Sequence, residues 1–389
     1  MTRAIVFKNA TLYTPGRTIR DPYMKITDLG QIASVGFADD LDAREEIRTV
    51  TFSTPARIVP GFIDLHIHGA ANADVMDGTE EALGKMQRVL PAEGSTSFLA
   101  TTLTQTPEEK MKALRVCRRV SEQTDRTGAN LLGVHLEGPF ISEKRAGAQP
   151  AQFIRKADIA LFEKFQEASG GRIRLVTIAP EEDEEGLVEF LHESGVIPSI
   201  GHSDAHYEEV VRSIERGVRH ATHLFNGMRG IHHRDPGTAG GVLLHAEIAA
   251  EVIADGIHIA PSMLKFAYRQ KGADGIILIT DAMRAKGMGE GTYQLGGQDV
   301  TVKNGQATLG DGTLAGSILK MNEAVRNMIA FTGCSFEEAV RMAAFNPAKQ
   351  LGIEGEKGSL DAGKDADFVI LDEDFEVLET YVAGRKVYG

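Results

Sequence analysis

Short apolar runs alternate with amphipathic stretches through the middle of the chain. The runs are rich in Val, Ile and Leu, which is typical of strands buried on both faces of a parallel sheet. The stretches between them, such as Thr79–Leu90 and Pro107–Gln123, follow the 3.6-residue period of helices. Eight such runs predict an α/β fold, a (β/α)8 TIM-type barrel. The predicted strands are Ile58–His66, Thr96–Thr101, Leu131–Leu136, Ile173–Ile178, Val196–Ile200, Val218–Thr222, Glu251–Ala254 and Gly275–Thr280.

An open, doubly wound sheet is the alternative to a closed barrel. It is disfavoured because no Gly-x-Gly-x-x-Gly turn follows the first run, as a dinucleotide-binding fold would require. After the eighth run, the pattern over Tyr293–Leu309 predicts an inserted β-hairpin with Asn304-Gly305 as its turn.

Both ends of the chain consist of short β-like runs separated by turns. Neither end has enough apolar residues to form a core alone, so we expect the two ends to associate. The sequence therefore predicts a small β-sandwich domain from residues 1–56 and 352–389, with the barrel, residues 57–351, inserted between them. The predicted terminal strands are Ala4–Lys8, Gln31–Gly36, Arg48–Phe52, Ala366–Leu371, Val377–Val382 and Lys386–Tyr388.

The net charge, the cysteines and the lengths of the apolar runs exclude several classes of function. The net charge of −13 argues against binding to nucleic acid or to an anionic membrane surface. The two cysteines, Cys117 and Cys334, lie far apart and have no metal-like spacing, so we expect two reduced thiols. We find neither a signal-peptide core in the first ten residues nor an apolar run long enough for a membrane helix, and we expect a cytoplasmic protein.

Polar residues gather where the predicted strands end, the place at which barrel enzymes carry their catalytic groups. His66 and His68 alternate along one strand and therefore share a face. A single histidine in an apolar strand is commonly a packing residue, but six metal-type ligands at the same end of five strands predict a metal centre. The six are His66, His68, Glu137, His202, His223 and Asp281. His135 shares the face of Glu137 and either packs or supports the site; His192, His206, His220 and His245 are expected to be surface or packing residues.

Several motifs carry a resemblance to a known family. PGFIDLHIHG at residues 60–69 and GSLDAGKDADF at residues 358–368 resemble the opening and closing segments of the amidohydrolase superfamily. Within it, HLEGPF (135–140), GHS (201–203), THLFNGM (222–228), ADGIH (254–258) and TDA (280–282) resemble the N-acetylglucosamine-6-phosphate deacetylases. The similarity runs from about residue 4 to residue 388.

The resemblance implies a divalent metal, one or two ions per subunit, with zinc as the first candidate and iron, cobalt or manganese as alternatives. Relatives that bridge two ions with a carboxylated lysine are excluded, because the third predicted strand ends in Glu137 and has no lysine. By the resemblance, Glu137, His202 and His223 hold the main ion. His66 and His68, with Glu137 and Asp281, hold a second ion, although some relatives work with one. Asp281 is implied as the catalytic base and then acid.

The implied reaction is hydrolysis of N-acetyl-D-glucosamine 6-phosphate to D-glucosamine 6-phosphate and acetate, a step of amino sugar breakdown. Alternatives are the galactosamine epimer, another N-acyl amino sugar phosphate, and a non-catalytic binding protein. Gln149 departs from the family, since some relatives have a histidine there, and its role is left open. Arg234 is implied to reach the phosphate across a homodimer interface. The implied substrate-binding residues are Ala148, Gln149, Asn226, Gly227, Arg234, His258, Leu314, Ala315 and Gly316.

Overall fold

The computed structural model describes residues 2–41, 47–123 and 127–389; the other positions of the predicted segments 1–56 and 57–351 lie outside the described residues. Most strands belong to two large sheets, one in the middle of the chain and one made from its ends. The strands are β1 (Thr2–Thr14), β2 (Arg17–Arg20), β3 (Pro22–Thr27), β4 (Ile32–Phe37), β5 (Ile47–Pro60), β6 (Phe62–Ile67), β7 (Gly69–Ala70), β8 (Ala73–Asp74), β9 (Ser95–Thr102), β10 (Asn130–Glu137), β11 (Ile173–Ile178), β12 (Ile197–Ile200), β13 (His220–Ala221), β14 (Ala249–Ile253), β15 (Ile276–Ile279), β16 (Gly291–Leu295), β17 (Gln298–Lys303), β18 (Gln306–Thr308), β19 (Phe368–Leu371), β20 (Val377–Val382) and β21 (Arg385–Tyr388).

The helices alternate with the central strands as the sequence pattern predicts. Where the chain enters a helix, side chains cap the free backbone amides: Thr79 Oγ1 accepts from Ala82 N and Asp158 Oδ1 accepts from Leu161 N. Among the described residues, none of the helices combines the length and apolar character needed to cross a bilayer. The helices are α1 (Glu80–Val89), α2 (Pro107–Ser121), α3 (Ile159–Ala168), α4 (Leu187–Glu193), α5 (Tyr207–Glu215), α6 (Gly237–Leu244), α7 (Pro261–Lys271), α8 (Met321–Thr332), α9 (Phe336–Ala343) and α10 (Phe345–Gln350).

The central sheet has eight parallel strands in the order β15-β14-β13-β12-β11-β10-β9-β6. A parallel bridge between Ile67 and Ala282 and a hydrogen bond from Asp281 N to His66 O (2.8 Å) join its first and last strands. The fold class, a (β/α)8 barrel with a small β-domain built from both termini, is confirmed.

The predicted strand Ile58–His66 is wrong as a single element. β5 runs to Pro60 in the terminal sheet, and β6 begins at Phe62 in the barrel, so the chain changes sheets at Gly61. A Cβ at position 61 would collide with the Thr96 side chain, so only glycine fits where β6 starts beside β9. The apolar run is continuous because both sheets bury their strands there, and periodicity alone does not show the change.

The terminal sheet contains strands from both ends of the chain, in the order β21-β20-β19-β5-β1-β3-β4, with β2 paired to β1. It has its own apolar cluster, in which the rings of Phe368 and Tyr381 stack at 4.3 Å. Strands β2 and β3 were not predicted, because polar residues interrupt their apolar positions; in β3 only alternate residues such as Met24 and Ile26 are buried.

A third, smaller sheet, β16-β17-β18, follows the last barrel strand. The predicted turn Asn304-Gly305 joins β17 to β18, with φ of 52° and 78°, the positive values that a type I′ turn requires. A further turn at Gly296-Gly297 adds β16, so the insert has three strands rather than two. Its inner face packs against the loops at the carboxyl end of the barrel through Leu103, Met283 and Leu295.

Candidate active site

Two groups of side chains converge at the carboxyl end of the barrel. In the first group, Glu137 Oε1 lies 3.2 Å from both His202 Nε2 and His223 Nε2, and these two nitrogens are 3.1 Å apart. All three residues are buried. Glu137 is the last residue of β10, and His202 and His223 follow β12 and β13, so the barrel fold brings them together.

The second group is built on the first and last barrel strands. His66 Nε2 and His68 Nε2 are 3.3 Å apart, and Asp281 Oδ1 lies 3.3 Å and 3.2 Å from them. Glu137 joins the groups, because its Oε2 is 3.2 Å from His68 Nε2 while its Oε1 faces the first group. The structure therefore brings together all six residues predicted as metal ligands or catalytic base.

Local backbone geometry turns several of these side chains inward. His202, His223 and Asp281 have φ of 46°, 33° and 48°, in the left-handed region that non-glycine residues seldom adopt. Each lies two residues after the end of its strand, where the chain bends across the barrel mouth. Such conformations cost about 1–3 kcal/mol each and cluster at functional sites. Asp64 Oδ1 also accepts a hydrogen bond from His66 N (3.2 Å), which stiffens the end of β6.

The donor set fits a divalent metal. Four ligands around a tetrahedral zinc ion at about 2.0–2.1 Å lie about 3.3 Å from one another, the spacing seen within both groups. Without a cation or proton between them, imidazole nitrogens facing each other at 3.1 Å would repel through their lone pairs. Burial would raise the pKa of Glu137, but the charge of His66 and the hydrogen bonds of His202 and His223 hold it well below its usual range. Glu137 is therefore a carboxylate, as a metal ligand must be.

Gln149 lies directly beside this centre. Its Oε1 accepts from Thr104 N (2.9 Å), so its Nε2 is the end that donates to Glu137 Oε2 (2.7 Å). The residue is buried, with 6% of its surface exposed. The amide thus holds one oxygen of the carboxylate shared by the two groups.

A cavity of about 240 Å³ opens above the six residues. Of the predicted substrate-binding residues, seven line it: Ala148, Gln149, Asn226, Gly227, His258, Leu314 and Gly316. Leu103, Gly147, Leu295 and Thr313 line it as well and were not predicted.

The structure does not bring the other two predicted residues, Ala315 and Arg234, to the cavity wall. Ala315 is fully buried behind it, where its N donates to Ala307 O (2.9 Å). Arg234 is exposed on the loop before α6, and its guanidinium lies 2.6 Å from His233 Nε2. Within one chain, Arg234 therefore does not reach the cavity.

His258 lies at the cavity wall beside the carboxylate of Asp255. Its Nδ1 lies 2.6 Å from Asp255 Oδ2. Burial would lower the pKa of His258, but the hydrogen bond and the charge of Asp255 raise it. Asp255 Oδ1 also accepts from the backbone of Ile257 and His258, at 2.8 Å each, which fixes the loop.

Some residues around the site were missed by sequence reasoning. Lys110 Nζ donates to Thr102 Oγ1, Leu103 O and Glu137 O at 2.9–3.0 Å, and burial lowers the pKa of Lys110 to about 7. Glu251 was placed in a predicted strand but given no role, although an acidic residue inside an apolar run signals a buried partner. Its carboxylate lies 3.0 Å from both His66 Nδ1 and His220 Nε2.

The histidines without a predicted ligand role also have defined places. His135 is fully buried, and its Nε2 lies 2.7 Å from Thr177 Oγ1, so it packs against the centre rather than entering it. His220 is buried in the barrel, so it is a packing residue and not a surface one. Cys117 and Cys334 are unpaired and buried, as expected, and burial raises the pKa of Cys117 to about 12.

A (β/α)8 barrel with four histidines and two carboxylates at its strand ends defines the class of metal-dependent hydrolases. Residues 57–387 match the amidohydrolase family. The chain is 45% identical to the N-acetylglucosamine-6-phosphate deacetylase of Bacillus subtilis (strain 168), over 100% of this chain and 98% of that protein. It is 47% identical to the enzyme of that name from Lysinibacillus sphaericus, over 98% and 97%.

Among solved structures, the chain resembles a mutant N-acetyl-D-glucosamine-6-phosphate deacetylase from Mycobacterium smegmatis, in complex with N-acetyl-D-glucosamine-6-phosphate. The TM-score is 0.91 and the identity 32%, over 100% of both chains. This chain therefore belongs to the amidohydrolase family and, within it, to the N-acetylglucosamine-6-phosphate deacetylases.

Proposed function

We propose that this chain is a metal-dependent hydrolase that releases acetate from N-acetyl-D-glucosamine 6-phosphate. The observation that carries the proposal is the convergence of six ligand-type side chains beneath the cavity, five of which border it. The names of the relatives supply the substrate, and the deacetylase found with bound substrate has the same fold over its whole length.

Two sets of residues would hold the metal. Glu137, His202 and His223 form one site, and His66 and His68 form the second with Glu137 and Asp281. Imidazole and carboxylate ligands suit zinc first, with iron, cobalt or manganese as alternatives. A divalent ion bound there lowers the pKa of a coordinated water and polarises the amide carbonyl.

Asp281 is the residue we assign to proton transfer. It borders the cavity with 8% of its surface exposed, and its Oδ1 faces both His66 and His68. As a carboxylate it accepts a proton from the attacking water, whose oxygen bonds to the acetyl carbon. As an acid it returns that proton to the sugar nitrogen when the carbon–nitrogen bond breaks. Acetate and the free amine are the products.

We assign recognition of the sugar phosphate to residues at the rim of the cavity. Asn226, Gly227, Leu314 and Gly316 line the wall together with His258. We infer that the partner subunit's Arg234 completes the phosphate site in a homodimer. Its exposed position outside the cavity of its own chain supports this inference. Ile231, three residues before it, is 48% exposed, an apolar surface that an interface would cover.

A non-catalytic binding role is the weaker reading, since all six predicted ligands, with the acid–base residue Asp281 among them, are present and converge. A cytoplasmic location agrees with two unpaired, buried cysteines.

The test is a substrate panel assayed with purified, zinc-loaded protein. Acetate release is measured from the 6-phosphates of N-acetylglucosamine and N-acetylgalactosamine and from unphosphorylated N-acetylglucosamine. We expect the highest kcat/KM for the glucosamine phosphate. Faster turnover of the galactosamine phosphate would assign the chain to that epimer, and no release from any of the three would refute the proposal.

A further inference from the structure

Glu251 stands behind the candidate metal centre, in the interior of the barrel on β14. Its side chain is completely buried and does not border the cavity. We propose that Glu251 is a positioning residue that fixes the tautomer and orientation of His66 and thereby sets the affinity of the second metal site. The inference rests on the proposed function, because it concerns the ion assigned to His66 and His68.

Both carboxylate oxygens of Glu251 are occupied. Oε2 lies 3.0 Å from His66 Nδ1 and accepts from His223 N at 3.2 Å, while Oε1 lies 3.0 Å from His220 Nε2. An ionised carboxylate only accepts hydrogen bonds, so His66 Nδ1 must carry the proton. His66 Nε2 is then the nitrogen left to give up its proton and bind a metal ion, and it faces His68 and Asp281.

This arrangement is what a metal-ligating histidine needs. A carboxylate on the far nitrogen holds the ring in place and makes the near nitrogen a stronger ligand. His66 is also packed from the side by His135, whose ring lies 4.5 Å away at 85°. His68 differs, because its Nδ1 has no hydrogen-bond partner among the described residues. In the second group, Glu251 is therefore the anchor for the histidine pair.

Burying a carboxylate is costly unless its partners compensate, and an apolar residue would fill a barrel interior more cheaply. Glu251 contacts three groups that belong to the metal centre or lie next to it. They are the ring of His66, the backbone amide of His223, and His220 on the strand that precedes His223. The hydrogen bonds of the Glu251 carboxylate therefore reach both groups of candidate metal ligands.

The experiment measures metal binding rather than turnover. Wild type, Glu251→Gln and Glu251→Leu are stripped and titrated with Co²⁺ against a chromophoric chelator, and the cobalt absorption spectrum is recorded at one and two ions per subunit. We expect two ions in wild type. The affinity for the second ion should fall about 10- to 100-fold in Glu251→Leu, with an altered spectrum, and by less in Glu251→Gln, whose amide oxygen still accepts from His66. The first ion should bind within about threefold of wild type.

Asp367→Asn is the matched control. Asp367 is also a buried carboxylate, but it pairs with Lys357 Nζ (2.6 Å) beside the terminal sheet. We expect this variant to lose thermal stability and to keep both cobalt affinities. If the Leu variant does not fold, a loss of second-ion affinity in Glu251→Gln that exceeds the threefold variation allowed for the first ion supports the inference.

The inference would be overturned if a folded Glu251→Leu protein bound the second ion with wild-type affinity. If only Glu251→Gln folds, wild-type affinity in that variant would overturn it. In either case the proposed hydrolase would remain intact. A wild-type protein that binds a single ion would overturn the inference and the second metal site together. Acetate release by the same sample separates that case from failure of the proposed function as a whole.

Discussion

The buried centre and the exposed rim of the cavity are built differently. In the centre, four histidines and two carboxylates face one another at 3.1–3.6 Å, and partners from the same chain, such as Arg145 O at 2.7 Å from His202 Nδ1, hold them in place. On the rim, Arg234 is exposed and lies outside the cavity. In our proposal, a single chain contains the groups for the reaction, whereas phosphate binding depends on the loop that carries Arg234 and on a second subunit. Changes in the centre should alter kcat and metal content, and changes on the rim should alter KM.

The largest effect is expected for Glu137→Gln. Glu137 is the one carboxylate that faces both groups, so the neutral amide should weaken metal binding at each of them. Loss of the several kcal/mol that a metal contributes corresponds to a decrease in kcat of about 10⁴-fold. Metal analysis and acetate release check this prediction on one sample. A variant with full metal content and wild-type turnover would remove Glu137 from the centre.

Asp281→Asn should reduce kcat by about 10³-fold, within the range typical of lost acid–base catalysis. Because the first group is untouched, we expect at least one ion per subunit to remain. Turnover within tenfold of wild type would show that another group moves the proton. Asp255→Asn, next to His258 on the rim, is the comparison, since we expect it to raise KM more than it lowers kcat.

Arg234→Ala tests whether the exposed rim binds the phosphate of the substrate. A charge-assisted hydrogen bond contributes about 1.5–3 kcal/mol, so KM for the phosphorylated sugar should rise about 10- to 100-fold. The unphosphorylated sugar should be affected little, and kcat should stay close to wild type. Equal changes for the two substrates would mean that Arg234 has a structural role. Sedimentation of both proteins at assay concentration reports whether the dimer itself persists.

The smallest effect is expected for the double change His66→Gln and His68→Asn. It removes two ligands of the second group and leaves Glu137, His202 and His223 in place. Metal should fall from about two ions to about one per subunit, and kcat by about tenfold, or ~1.4 kcal/mol of barrier. If both proteins hold one ion and have equal kcat, a single-ion mechanism is correct and the histidine pair is dispensable.

The convergence of these side chains could be predicted from the sequence, because it follows from strand alternation and from the order of the strands. The alternation of β6, continued by one residue, places His66 and His68 on the same side. Because the strand ends of a parallel barrel meet at one end, chain order alone brings Glu137, His202 and Asp281 close. It did not predict the left-handed backbone at His202, His223 and Asp281, because no local residue preference calls for it there.

Contacts between distant elements were beyond sequence reasoning. Glu251 and Lys110 act on residues far away in the chain, and their partners are defined only once β14 and α2 pack against the barrel strands. The resemblance left the role of Gln149 open, and its contact with Glu137 follows from a loop held by Thr104. The change of sheet at Gly61 could not be predicted from hydrophobic periodicity either, because the apolar run continues through it.

We propose that metal bound by the two groups of histidines and carboxylates is required for deacetylation. The most direct measurement strips the protein with a chelator, returns Zn²⁺ in steps, and follows metal per subunit and acetate release from N-acetyl-D-glucosamine 6-phosphate in the same samples. We predict that the stripped protein is inactive, that acetate release rises with bound zinc, and that it saturates at no more than two ions per subunit. Full turnover by protein shown to hold no metal would contradict the claim.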